Sequence, residues 1–173
     1  MPDMQQHELM ERLRRLDEDA SLMFEDAGRF RTVIVGGGAL VLRDYIARAT
    51  HDIDVLGASN ALYTLMEAHD INGRVQAYEN HFPYNYEDRL VQLWQGQKID
   101  FYTASLEDIV IAKLCSNRPS DCADVEAVAD RVDWVILDKL ATGEGEAKAS
   151  ALNERNYQDF MMNYRKYVER FRL

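Results

Sequence analysis

Between Val33 and Leu56 the chain reads V-I-V-G-G-G-A-L-V-L-R-D-Y-I-A-R-A-T-H-D-I-D-V-L, and this run restricts the fold more than any other. Val33 to Val35 is a short apolar stretch that predicts a buried strand. Gly36, Gly37 and Gly38 then form a turn, and a helix is predicted from about Ala39 to Arg48. A second strand follows and carries Asp52 and Asp54. Side chains two apart on a strand share a face. Asp52 and Asp54 therefore project together, while Ile53 and Val55 point into the core. The same alternation turns His51 away, so it is not taken as a ligand.

Two adjacent carboxylates repel unless a cation lies between them. Oxygen-only ligands suit Mg²⁺, with Mn²⁺ as the alternative. Glycines opening a helix suit a phosphate, because free backbone N–H groups and the helix dipole favour an anion there. A phosphate cradle beside a magnesium-binding Asp pair is the layout of a nucleotidyl-transfer site, with a nucleoside triphosphate (NTP) as substrate. The competing reading is an Asp-rich strand edge after a tight turn that holds no ligand.

The chain has 173 residues, which predicts one domain with a helical extension. Hydrophobic residues make up 47%, enough to bury a core. No apolar run is long enough to span a membrane, and the N-terminal M-P-D-M-Q-Q-H-E carries neither a basic region nor an apolar one. Cys115 and Cys122 fit no zinc motif and form no disulfide framework, so a cytoplasmic location is expected. A net charge of -10 argues against broad nucleic-acid binding. The basic residues Arg155, Arg165, Lys166, Arg170 and Arg172 could face an acceptor such as tRNA, but a solvated helix face is the preferred reading.

Along the chain, Gln5 to Asp26 predicts an amphipathic helix with Leu9, Leu13, Leu16, Ala20 and Met23 inward. Ser59 or Asn60 caps a helix running to about Asp70. Arg74 to Tyr78 is expected as a strand, and Glu79 to Asp88 as a loop or irregular strand near the site. Arg89 to Trp94 and Lys98 to Tyr102 predict a hairpin around Gly96. Helices follow over Leu106 to Ser116, stopped by Pro119, then from Asp121 to about Asp130 and over Trp134 to Leu140. T-G-E-G-E reads as a linker, and Ala147 to Leu173 as one long helical segment. The expected class is α/β (α+β): a mixed sheet flanked by helices. Residues 1–30 form a helix packed on a core of residues 31–130, and residues 131–173 form a helical C-terminal region.

V-G-G-G-A-L followed by T-H-D-I-D-V resembles the signature of minimal nucleotidyltransferases of the DNA polymerase beta superfamily. Within that group the chain is similar to the AbiEii-type toxin nucleotidyltransferases and their relatives. Those relatives add a Lys-Leu on a later helix and an Arg-x-x-Asp-x-x-Asp run, and K-L-C-S-N-R-P-S-D-C-A-D (Lys113 to Asp124) is similar to both. The resemblance covers about Arg31 to Val128. It implies transfer of a nucleotidyl group to a hydroxyl of RNA, protein or a small molecule. It also implies a toxin of a toxin–antitoxin pair, with an antitoxin or DNA-binding partner.

The resemblance extends the site beyond Asp52 and Asp54. Asp100 is expected on a strand beside them, as general base or third metal ligand, against the alternative of a solvent-facing hairpin Asp. Lys113 is expected to pass its stem along the core and reach a phosphate, the alternative being ordinary snorkelling. Arg118 is a further nucleotide-binding candidate. Asp121 and Asp124 are expected to brace the helix through ion pairs, with a direct role open. Thr50 could fix the strand or touch a phosphate. Family members often carry Ser at the second glycine position. Here Gly37 or Gly38 stands there and offers only backbone N–H groups.

A non-catalytic member of the fold, acting as a binding or antitoxin-like module, is the second reading. A dinucleotide-binding domain ranks last, because the glycines are contiguous and position 41 is Val rather than the third Gly of G-x-G-x-x-G. A P-loop is excluded by the absence of G-x-x-x-x-G-K-[ST].

Overall fold

The computed structural model of the chain describes residues 2–47, 50, 52–143 and 146–172. The expected helix end at Arg48, the His51 side chain and part of the T-G-E-G-E linker lie outside the described residues. The chain is a mixed α+β protein that divides into two units. One comprises residues 1–77 and 90–104, and the other residues 78–89 and 105–173.

The first unit is built on a four-stranded sheet in the order β2-β1-β4-β3. The strands are β1 (Phe30–Val35), β2 (Asp54–Leu56), β3 (Val91–Gln95) and β4 (Ile99–Thr103). β1 runs parallel to β4 and antiparallel to β2, and β3 runs antiparallel to β4. Val33, Ile34 and Val35 are all buried, so both faces of the central strand are covered. An uninterrupted apolar run at this point reflects that two-sided burial.

Helix α1 (Pro2–Met23) packs against α2 (Gly36–Leu42) and α3 (Asn60–Ala68). Leu9, Leu13, Leu16 and Ala20 are fully buried along its inner stripe. Met23, expected on that stripe, is exposed where the helix ends.

Asp17 on the inner side of α1 binds the β3–β4 hairpin. Its carboxylate accepts the backbone N–H groups of Gln97, Lys98 and Ile99 at 2.8, 2.9 and 2.9 Å. A Cβ on Gly96 would stand 2.4 Å from that carboxylate, so the hairpin requires glycine there. Replacing Asp17 with Ala leaves three N–H groups without this acceptor. Unfolding measurements are expected to show a loss of about 1–3 kcal/mol, the cost of unsatisfied buried donors.

Some expected elements differ, among them β2, which starts at Asp54 and so leaves Asp52 before the strand. α2 begins at Gly36 and ends at Leu42, so the glycines form its first turn rather than precede it. The early end follows from Asp44, whose φ of 60° is left-handed, while Tyr45 N–H closes back on the Leu40 carbonyl. The strand expected over Arg74 to Tyr78 is replaced by a 3₁₀ turn, Gln76–His81. On the side of β2 away from β1, the described residues give a single bridge at Asn72, which accepts from Val55 N–H and donates to the Ile53 carbonyl.

The second unit is helical, centred on α4 (Leu106–Ser116), which touches α5 (Pro119–Ala127), α6 (Trp134–Thr142) and α8 (Glu154–Phe171). α4 is buried from Leu106 to Leu114 apart from Glu107, as expected of a helix surrounded by other helices. Ser105 caps it by accepting Asp108 N–H. Pro119, expected only as a stop, opens α5 as its first residue, where its missing N–H costs nothing. The C-terminal segment is two helices: α7 (Ala147–Ser150), then α8, whose N-cap Asn153 accepts from Asn156 N–H. No described helix is long and apolar enough to cross a membrane.

Candidate active site

In the first unit the C-terminal end of β1 leads directly into the glycine turn. Gly36 has a φ of +73°, a left-handed conformation that side chains with a Cβ rarely adopt. A Cβ at Gly38 would lie 2.7 Å from the Asp52 backbone carbonyl, so the Asp52 strand end can approach α2 only because residue 38 has no side chain. The first turn of a helix leaves N–H groups without intrahelical acceptors, and here that turn is the three glycines.

Asp54 pairs with Val35 across the β1–β2 ladder. This register places its Oδ2 only 3.5 Å from where a Gly36 Cβ would be. The carboxylate thus lies beside the glycine turn, at ordinary contact distance from residue 36, where the left-handed φ rather than space favours glycine. Asn72 Nδ2 donates to Asp54 Oδ1 at 3.4 Å. Asp52 is exposed and precedes the strand, while Ile53 and Val55 are buried. Thr50 is buried, and its Oγ1 accepts the Asp52 N–H at 3.4 Å, which directs that hydroxyl toward the backbone of the Asp-bearing segment.

Asp100 is not beside this pair. It lies opposite Arg31 on β1, whereas Asp54 lies opposite Val35, four residues further along the same strand. At about 3.3 Å per residue the separation along the sheet is roughly 13 Å. Asp100 instead forms a two-pronged pair with Arg29, at 2.6 and 3.2 Å. The expected third carboxylate is corrected accordingly: the hairpin register carries it to the far end of β1.

Lys113, Arg118, Asp121 and Asp124 form an ionic cluster in the second unit. The Lys113 ammonium is 2.9 Å from Asp124 and 3.3 Å from Asp121, and all three side chains are buried. Arg118 is exposed and reaches back to Asp121 at 2.8 Å. Lys113 was expected to extend to a phosphate, but it is drawn to the two carboxylates of α5 across the Pro119 break. Burial works against ionisation of Asp121. The hydrogen bond from Arg118 and the charge of Lys113 outweigh it and hold the carboxyl below its ordinary value. A carboxyl lowered in the folded state contributes stability above its unfolded pKa and loses it as pH falls through the folded one. Acid titration of unfolding is therefore expected to show Asp121→Asn losing less stability than the wild type below pH 3.8, the ordinary value.

Asn72 lies just beyond the helix expected to end at about Asp70, and no motif in the sequence singles it out. Its position beside Asp54 depends on a bridge between segments that sequence periodicity does not mark. Of the basic C-terminal residues, Arg170 reaches Glu126 at 3.5 Å and the others lie exposed on or just after α8.

A strand, three glycines forming a helix's first turn and an Asp carboxylate beside that turn can hold a phosphorylated ligand through backbone N–H groups and a cation through oxygen. The family model described as a nucleotidyltransferase of unknown function (DUF6036) matches residues 11–172. The chain belongs to this family. No curated protein and no solved structure matches it significantly.

The donor set fits a hard divalent cation. Carboxylate oxygens are its preferred ligands, and Mg²⁺ is commonly held by one or two carboxylates with water and substrate phosphates completing its shell. Among the described residues no group of three or more His, Cys, Asp or Glu gathers as a metal site.

Proposed function

We propose that this nucleotidyltransferase-family protein moves a nucleotidyl group from an NTP to a hydroxyl acceptor on RNA, protein or a small molecule. The observation that carries this reading is the Asp54 carboxylate lying beside the left-handed Gly36 at the start of α2. The backbone N–H groups of the glycine turn bind phosphate oxygens beside the Asp54 carboxylate. Asp52 and Asp54 would hold Mg²⁺ or Mn²⁺, which would supply charge neutralisation at the transferred phosphoryl. Asn72 restrains the Asp54 carboxylate. A role as the toxin of a toxin–antitoxin pair, with a DNA-binding or antitoxin partner, belongs to the same proposal and is supported by the likeness of K-L-C-S-N-R-P-S-D-C-A-D to the run in AbiEii-type toxin nucleotidyltransferases and their relatives.

A test uses each NTP labelled at the α-phosphate, with total tRNA and a cell protein extract as acceptors. Label incorporated into one acceptor class by the wild type and lost in Asp52→Ala/Asp54→Ala supports the proposal. Equal labelling by both proteins contradicts it.

One observation favours a second reading, a non-catalytic NTP-binding module: the β1–β4 register sets Asp100 opposite Arg31, away from Asp54, where it pairs with Arg29. NTP binding that depends on Asp52 and Asp54, without turnover on any acceptor, distinguishes this reading.

A further inference from the structure

We infer that Asn72 is a positioning residue for Asp54, held in a frame that α3 and β2 supply, and that it orients the carboxylate for a divalent cation before any ligand arrives. The inference rests on the reading of Asp52 and Asp54 as cation ligands and adds the residue that sets the orientation of one of them.

The two ends of the Asn72 amide have different partners. Its Oδ1 accepts the Arg74 backbone N–H at 3.1 Å, and its Nδ2 donates to Asp54 Oδ1 at 3.4 Å. A backbone N–H only donates, so the first contact settles which end of the amide is the oxygen. The nitrogen then faces Asp54. An Asp at this position could accept from Arg74 equally well, but it would set a second carboxylate against Asp54. Asp54 Oδ1 is thereby directed to Asn72. Oδ2 lies on the side of the glycine turn, 3.5 Å from where a Gly36 Cβ would be.

The segment that carries Asn72 is anchored on two sides. Its backbone bonds the β2 segment, accepting Val55 N–H at 2.9 Å and donating to the Ile53 carbonyl at 2.8 Å. Ile53 and Val55 flank Asp54, so Asn72 and Asp54 keep one register. The following residues lie against α3. A Cβ on Gly73 would stand 2.8 Å from Met66 Sδ and 3.0 Å from the Tyr63 ring. The Arg74 guanidinium lies over that ring at 5.1 Å and pairs with Glu67 at 3.1 Å. The Asn72 side chain itself is exposed, so core packing does not account for it. A carboxylate held by a fixed neighbour loses less freedom when a cation binds, and losing such an outer contact typically costs about 10–100-fold in metal affinity.

The test is the affinity of the full chain for Mn²⁺ alone, read from the loss of the free-ion electron paramagnetic resonance signal. Circular dichroism and thermal unfolding establish the fold of each variant. The wild type is expected to bind Mn²⁺ saturably, and Asp52→Ala/Asp54→Ala to lose that binding. Asn72→Ala is expected to bind at least about tenfold more weakly. Asn72→Asp keeps the acceptor for Arg74 N–H and sets a third carboxylate beside the pair, so it is expected to bind at least about threefold more tightly. Opposite shifts from two substitutions of one exposed residue follow from contact with a cation ligand; a merely structural residue would move both affinities the same way or neither. Binding that requires the Asp pair but is equal in the wild type and folded Asn72→Ala overturns this inference and leaves the reading of the site standing. Should Asn72→Ala fail to fold, Asn72→Asp decides the matter: an affinity at or below that of the wild type overturns the inference. No Mn²⁺ binding by the wild type overturns the reading of the site and this inference with it.

Discussion

Asp54→Asn is expected to lower nucleotidyl transfer at least about 100-fold, which is about 3 kcal/mol of transition-state stabilisation. The substitution keeps the shape of the side chain and an oxygen that can accept from Asn72. It removes the negative charge that lies beside the glycine turn. Asp54 is only partly buried, so the loss of charge leaves little uncompensated in the folded protein. The unfolding free energy is therefore expected to change by less than about 1 kcal/mol. Activity and stability separate in this variant, and that separation is the informative result. Asp54→Asn with activity within a few-fold of the wild type would show that its charge is not used in the reaction. A large loss of both activity and stability would point to a structural role instead.

Lys113→Met is expected to have the largest effect on stability. The lysine is buried with Asp121 and Asp124, and removing the cation of a buried ion cluster takes away much of what compensates its carboxylates. Asp121 retains Arg118, while Asp124 loses the ammonium at 2.9 Å. A loss of about 3–5 kcal/mol is expected, which at about 2–4 °C per kcal/mol lowers the thermal midpoint by roughly 10 °C. Lys113→Met combined with Asp124→Leu is expected to recover most of that loss, since an apolar replacement of a buried pair costs little. Thermal unfolding of the single and double variants checks both statements. A single variant within about 1 kcal/mol of the wild type would contradict the brace.

The elements visible in the sequence were those marked by local pattern. Ile53 and Val55 are buried and Asp52 is exposed, as a period of two requires. The α1 stripe from Leu9 to Ala20 is buried at three- and four-residue steps. The losses lie where the determining contact is distant. Asp100 has the residue type of a third ligand, but its place depends on the β1–β4 register, which pairs it with Arg31. Asp17 reads as one polar residue among many on α1, and only the folded chain brings it to a hairpin about 80 positions away. The strand expected at Arg74 to Tyr78 has suitable alternation, yet the neighbouring bridge at Asn72 ends before it starts. The early end of α2 rests on a single left-handed residue, Asp44, for which the sequence carries no glycine as a marker.

The measurement that bears most directly on the glycine-turn site is calorimetric binding of the four NTPs in the presence of Mg²⁺, comparing the wild type with Asp52→Ala/Asp54→Ala. The predicted result is saturable, Mg²⁺-dependent binding of one NTP that disappears in the double variant while its fold, followed by circular dichroism, is kept. No binding of any NTP to the wild type, or equal binding to both proteins, would contradict the assignment of this site.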